Sequence, residues 1–387
     1  GFAQRHCSSD LCSNAPAVSN MIAQASIPTS PAANRRSRFT PSVRGFTKHT
    51  TPHSSRSVRL IVRADKVLIA NTKGGGHAPF GLYLAKKLVS QGHSVTILNG
   101  GDDSLTAKAP FSQYAGFWGC NVVWGNPSDP SNFPAGPFDI VYDNNGKTLA
   151  DCQPLIDHYG PTCKQYCFVS SAGMCEDNAI EPQVFEDTKC KEKDHFFVEQ
   201  YLKQHNLPYT IFRPLYPYGQ YTMKDCEQYF IDRIMRARPI LIPDSGMQLV
   251  SLSHYEDCGN LMAAVVGNPK AIRNTYNLTS DTAITFKGCA SAIAKACGKE
   301  AWLVHYDSAT HGKGSWPFRL GHFFASSTKA QVDLDWAPTH NFSADMVESV
   351  KDYMSTGRVG KHIDFSKDDA ILDKILPEMY PEQYYFK

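Results

Sequence analysis

The stretch NTKGGGHAPFG, residues 71–81, decides the fold. An unbroken apolar run, KVLIA (66–70), leads into it, and an amphipathic run, LYLAKKLVSQ (82–91), leads out. A buried strand, a glycine-rich turn and a helix in that order open a doubly wound parallel sheet. The turn of such a unit is where a dinucleotide pyrophosphate is held. The glycines here do not keep the G-x-G-x-x-G spacing. Gly74, Gly75 and Gly76, flanked by Lys73 and His77, still offer backbone N–H groups to an anion at a helix N-terminus. Gly81 suits close packing of helix on sheet.

Working outward, strand and helix patterns alternate. SVTIL (94–98), NVVW (121–124), FDIVYD (138–143), YCFVSSAG (166–173) and YTIFRP (209–214) read as further strands, with a helix at HFFVEQYLKQ (195–204). This pattern predicts an α/β Rossmann-like, doubly wound parallel sheet over residues 65–215. Past Pro214 the alternation loosens into a helix at 224–238, a strand at ILIP (240–243) and a last helix at 343–356. A smaller α+β lobe is expected over 216–360, with some return to the sheet. The tail, 361–387, packs on the body or frays.

Of the 387 residues, the first 64 carry nine Arg or Lys against one acid, Asp10. The remainder then holds 30 basic and 36 acidic residues, about −6 overall. The basic, Ser-rich opening contains no apolar run long enough for a signal peptide or membrane span. It reads as an organellar transit segment, plastid or mitochondrial, or as a basic arm for nucleic acid. IVRA (61–64) resembles a stromal processing site. Twelve cysteines are scattered without a C-x-x-C pair, which argues for ordinary thiols and against structural zinc.

Ligands of an open α/β sheet sit outside the carboxyl ends of its strands. Those ends present Asn99, then Asp102 and Asp103; Asp143, then Asn144 and Asn145; and Ser170 with Ser171. Asn99 stands where a dinucleotide fold places its ribose-binding carboxylate.

VSSAGM (169–174), RPLYPYG (213–219), SLSHYEDCGN (251–260), YNLTSD (276–281) and STKAQVDLDWAPT (327–339) resemble landmarks of the extended short-chain dehydrogenase/reductases. That family uses a Ser with a Tyr and a Lys four residues later on one helix. Aligned on Glu199, the Lys position falls on His195 and the Tyr position on Lys191. Ser171 is present, but its proton-transfer partner is not. Asn126 replaces the usual adenine-contacting Asp. NAD(P)-dependent hydride transfer is therefore not expected.

The form of the glycine loop, DNNGK (143–147), KDCEQYF-x-DRI (224–234), LVHYD (303–307) and FRLGHFFAS (318–326) resemble the a-type branch of the chloroplast stem-loop-binding proteins. These are RNA-binding endoribonucleases on an atypical reductase fold. The resemblance implies a stromal protein that binds structured mRNA and rRNA and cleaves it with Mg²⁺ or another divalent cation. It also implies association with plastid ribosomes, a b-type paralogue and further copies of itself, and no membrane.

A negative body needs a local basic patch to hold phosphates. The candidates are Lys224 with Arg233, Arg236 and Arg238, and Lys191 with Lys193; Lys73 joins them from the glycine loop. A solvated helix face is the alternative reading of each cluster. Metal-assisted hydrolysis calls for carboxylates, and Asp143, Asp102 and Asp103 are the candidates at the sheet edge. His195 and His254 are the general acid–base candidates. Two further readings stand beside the nuclease: a non-catalytic RNA or ribosome stabiliser, and an unusual NAD(P)-dependent epimerase or reductase.

Overall fold

The computed structural model describes residues 64–72, 77–114, 119–222 and 225–379. Lys73, Gly74, Gly75, Gly76, Lys224 and the transit-like segment up to residue 63 lie outside the described residues.

Seven parallel strands form the central sheet: β1 (Lys66–Asn71), β2 (Ser94–Asn99), β3 (Cys120–Trp124), β4 (Ile140–Asn144), β5 (Gln165–Val169), β6 (Tyr209–Pro214) and β7 (Asn274–Leu278). Their order across the sheet is β7-β6-β5-β4-β1-β2-β3. β1 is buried on both faces from Val67 to Asn71, which is why its sequence is apolar without alternation. Every strand read from the sequence is present, and β7, from the later chain, is the edge strand of the sheet.

Helix α1 (His77–Ser90) begins earlier than the amphipathic run suggests, so Gly81 lies inside it. It ends in a Schellman turn: Gly92 takes φ +90°, its N–H bonds Val89 O, and His93 N–H bonds Leu88 O. α2 (Leu149–Tyr159) starts from a capping box in which Thr148 and Asp151 satisfy each other's backbone N–H. α3 (His195–Gln204), α4 (Glu227–Met235), α5 (Tyr255–Ala264) and α6 (Phe286–Ala296) follow.

One face of the sheet is covered by α1 and α5, with Leu82, Leu84, Leu261 and Met262 in a shared core. α5 crosses so close that a Cβ on Gly259 would lie 2.8 Å from the backbone N of Leu84. The other face is filled by Leu155 and Ile156 of α2 and by Val198 and Leu202 of α3. A separate core joins α4, α6 and the helix Phe342–Ser355 through Phe230, Ile234, Ile293 and Met346. Within the tail lies the helix Ser366–Met379, whose Ile371, Leu372 and Ile375 pack on Leu241, Val304 and Tyr306.

Candidate functional site at the carboxyl edge of the sheet

The strand order reverses at β1, so the crevice between β1 and β4 is the topological switch point. Three asparagines end the strands there in register, Asn71 opposite both Asn99 and Asn144. Asn71 Nδ2 donates to Asn99 Oδ1 at 3.2 Å, and Asn144 Nδ2 donates to Asn71 Oδ1 at 2.8 Å. All three are buried. A Cβ on Gly81 would come within 2.1 Å of the Asn71 amide, so the glycine makes room for this carboxamide ladder.

Above the ladder opens a cavity of about 550 Å³, within the range of small-molecule sites. His77, Lys147, Ser171, His195, Tyr216 and Arg319 are among its walls. Asn144 Nδ2 donates to His77 O at 2.7 Å, while Asn144 Oδ1 lies 2.7 Å from His77 Nδ1. That oxygen can only accept, so Nδ1 carries the proton and Nε2 is the basic nitrogen of the neutral ring. His195 opens α3. Burial, reinforced by His77, lowers its pKa to about 4, so at neutral pH it is an uncharged proton acceptor.

Ser170 Oγ donates to Glu199 at 2.7 Å, and Arg213 forks onto the same carboxylate at 2.9 and 2.7 Å. This buried triad fixes the ends of β5 and β6 under the cavity. Ser171 is a turn cap, accepting from Gly173 N at 3.0 Å, and lines the cavity. Arg319 bonds Gly173 O at 2.6 Å, pairs with Asp177, and stacks 3.9 Å over the Phe323 ring. Lys147 stands 3.8 Å from Asp194 and is largely exposed.

The structure does not bring the other candidates here. Asp143 is the last residue but one of β4 and turns into the core, accepting from Tyr166 Oη at 2.8 Å and Asn145 N at 3.1 Å. Burial raises its pKa to about 6. Asp102 caps a short 3₁₀ turn by accepting from Ser104 N, and Asp103 follows it at the surface. Neither lines the cavity, and among the described residues the three aspartates form no metal-binding group. Among the described residues the one such group is His254, Glu256 and His340. His254 caps α5, stacks on His340 at 3.6 Å between ring centroids, and does not line the cavity. Asn99 is wholly buried: its Oδ1 accepts from Asn71, while its Nδ2 has no hydrogen-bond partner among the described residues.

The arginine patch is internal bracing. Arg233 is buried on Asp368 at 2.7 Å and over the Tyr229 ring at 3.4 Å. Arg236 bonds Tyr353 and the carbonyls of Arg358, Val359 and Lys361. Arg238 pairs with Asp369. Lys191 pairs with Asp177 at 3.6 Å, and Lys193 is exposed nearby. Lys191 lies before α3 begins, so it shares no helix face with His195.

Sequence reasoning named Ser171 and His195 and missed Lys147, Arg319 and the part played by His77. Lys147 and Arg319 sit inside the motifs DNNGK and FRLGHFFAS, which was the available signal.

The model of the NAD dependent epimerase/dehydratase family matches residues 162–279. The UDP-glucuronic acid 4-epimerase of Bacillus cereus, solved with UDP-glucuronic acid and NAD, superposes with a TM-score of 0.59 at 17% identity over 75% of this chain and 99% of its own. The epimerase Mth375 of Methanothermobacter thermautotrophicus gives 0.59 at 16% over 76% and 94%. These likenesses define the class, an extended epimerase-type Rossmann frame. The chloroplast stem-loop binding protein of 41 kDa b of Arabidopsis thaliana is 32% identical over 323 residues, 78% of this chain and 84% of that one. The chain belongs to the chloroplast stem-loop-binding protein family.

The frame implies NAD, and the described residues fit it poorly. No carboxylate ends β2, and among the described residues no Tyr with a Lys four residues later lines the cavity. No hydride step is derived for this chain.

Proposed function

We propose that this chain is a chloroplast stromal protein that binds structured RNA, mRNA stem-loops and rRNA, and cleaves it with the help of a divalent cation. Association with plastid ribosomes and with a second family member belongs to the same reading. The observation that carries it is the cavity at the strand ends. It lies at the carboxyl edge of the sheet and is lined by His195, Arg319 and Lys147, with no Tyr-x-x-x-Lys pair among its walls.

A cavity of this size takes one unpaired nucleotide of a loop, not a duplex. Arg319 and Lys147 meet its phosphates, Tyr216 offers a ring edge to the base, and neutral His195 accepts the proton of the attacking hydroxyl. The carboxylates at the wall are Asp151 and Asp225. A hydrated Mg²⁺ needs only one or two carboxylates beside substrate phosphates, and its chemistry there is charge neutralisation.

The test uses the full chain and an end-labelled RNA stem-loop with and without Mg²⁺. Mg²⁺-dependent cleavage in the loop, reduced about 10²-fold by His195→Ala with binding retained, is the expected result. Binding without cleavage at any metal concentration replaces the nuclease with an RNA stabiliser. The family match and the NAD-bound neighbours favour a second reading, an NAD(P)-dependent epimerase. Tight NAD⁺ binding with turnover of a nucleotide sugar would establish it.

A further inference from the structure

The strongest chemistry left unassigned is a pair of cysteines beside the cavity rim. Cys175 and Cys190 are partners in an isolated antiparallel bridge. Glu176 N–H donates to Lys189 O at 2.9 Å, and Lys191 N–H donates to Met174 O at 2.8 Å. These bonds flank the pair, so the two cysteines oppose each other at a position that exchanges no backbone bonds itself. Cα atoms at such a position are about 4.5 Å apart with their side chains close, inside the ~4.4–6.8 Å that a disulfide spans.

Both thiols are free. Cys175 is buried with Ala172, Val184, Leu215 and Phe323, and Cys190 is half-buried at the edge of that cluster. The neighbouring Cys175 thiol, with Arg213 adding to it, lowers the pKa of Cys190, while that of Cys175 is raised. Elsewhere burial pushes Cys120 up to about 11 and Cys163 up to about 12. Cys190 is therefore the attacking sulfur and Cys175 the resolving one.

We propose that Cys175 and Cys190 form a reversible intramolecular disulfide that clamps the rim of the cavity. The oxidant is a low-molecular-weight disulfide of the glutathione type. The Cys190 thiolate attacks one of its sulfurs, forming a mixed disulfide and expelling a thiolate. Cys175 gives up its proton and attacks the Cys190 sulfur, closing the bond and expelling the second thiolate. The protein loses two electrons and two protons, and the oxidant becomes two thiols. The carbonyl of Cys175 accepts from both terminal nitrogens of Arg319 at 3.3 Å, so the bond fixes the strand that holds the cavity's arginine. It also closes the loop 176–189 into a ring.

The test equilibrates the full chain in buffers of oxidised and reduced glutathione, alkylates it, and maps peptides by mass spectrometry. The two thiols are expected to disappear together into a linked Cys175–Cys190 peptide. Proteolysis within 176–189 should slow several-fold, with full reversal by a dithiol reductant. Cys175→Ser should stop at a glutathione adduct on Cys190, and Cys190→Ser should leave Cys175 unreacted and the proteolysis rate unchanged. Independent alkylation of the two thiols at every ratio overturns the proposal, as does a stable Cys190 adduct in the unaltered protein or linkage to another cysteine.

Discussion

Asp143 shows how a residue can stand at the right place in the sequence and point elsewhere. Its position near the end of β4 is legible from FDIVYD, but a strand places successive side chains on opposite faces, and this one falls on the face covered by α2 and α3, against Tyr166. Tyr166, Asn145 and Cys152 bond its carboxyl there, yet burial outweighs them and raises the pKa from 3.8 to about 6. The folded state then holds a proton that the unfolded chain releases, so stability falls as pH rises from about 4 to 6. A shift of two units corresponds to about 3 kcal/mol. The difference in unfolding free energy between the native protein and Asp143→Asn should change by that order across pH 4–6, in favour of the variant at the higher pH. Denaturant titrations at each pH measure it, and a difference that stays flat removes this account. His195 shows the opposite displacement: burial strips its charge and leaves it able to accept a proton.

Among the elements, α4 and the C-terminal helix explain why a basic cluster is a weak signal for nucleic acid. Arg233, Arg236 and Arg238 lie close together in sequence, and each finds an acid or carbonyl contributed by residues 353–369. The partners are more than a hundred residues away, beyond any local pattern. Arg233→Ala leaves Asp368 buried without its cation and should cost about 3–5 kcal/mol. It should also speed proteolytic release of the tail. The salt dependence of RNA binding should not change, whereas loss of a phosphate contact lowers that slope by about one. Binding isotherms at several salt concentrations distinguish bracing from contact.

At the scale of the whole molecule, charge and shape limit how RNA can be held. A body near −6 outside its first 64 residues repels a phosphate backbone, so few contacts are available. With Lys147, Arg319 and one further lysine engaged, log Kd should depend on log salt with a slope of about 2, from ~0.7 per phosphate on single strands. A slope several times larger would show that a broader basic surface, not this cavity, carries the interaction. Among the described residues no helix is long and apolar enough to cross a membrane.

The sequence by itself determined the sheet. Apolar runs bounded by turns name each strand, because burial on both faces leaves no room for polar alternation. It also exposed the loss of the reductase pair, since a Tyr and a Lys four apart are either present or absent. α2 escaped that reading, because Pro154 and its polar neighbours blur the helical period, although the Thr148-x-x-Asp151 capping pattern stands in the sequence. Side-chain direction was likewise decided by tertiary structure alone. NTKGGGHAPFG is legible as a turn into a helix, but only packing shows that Gly81 lies in that helix over the Asn71 amide. Local pattern records which residues are buried. Which cation meets which acid, and which side chain reaches a cavity, follow from contacts between distant segments.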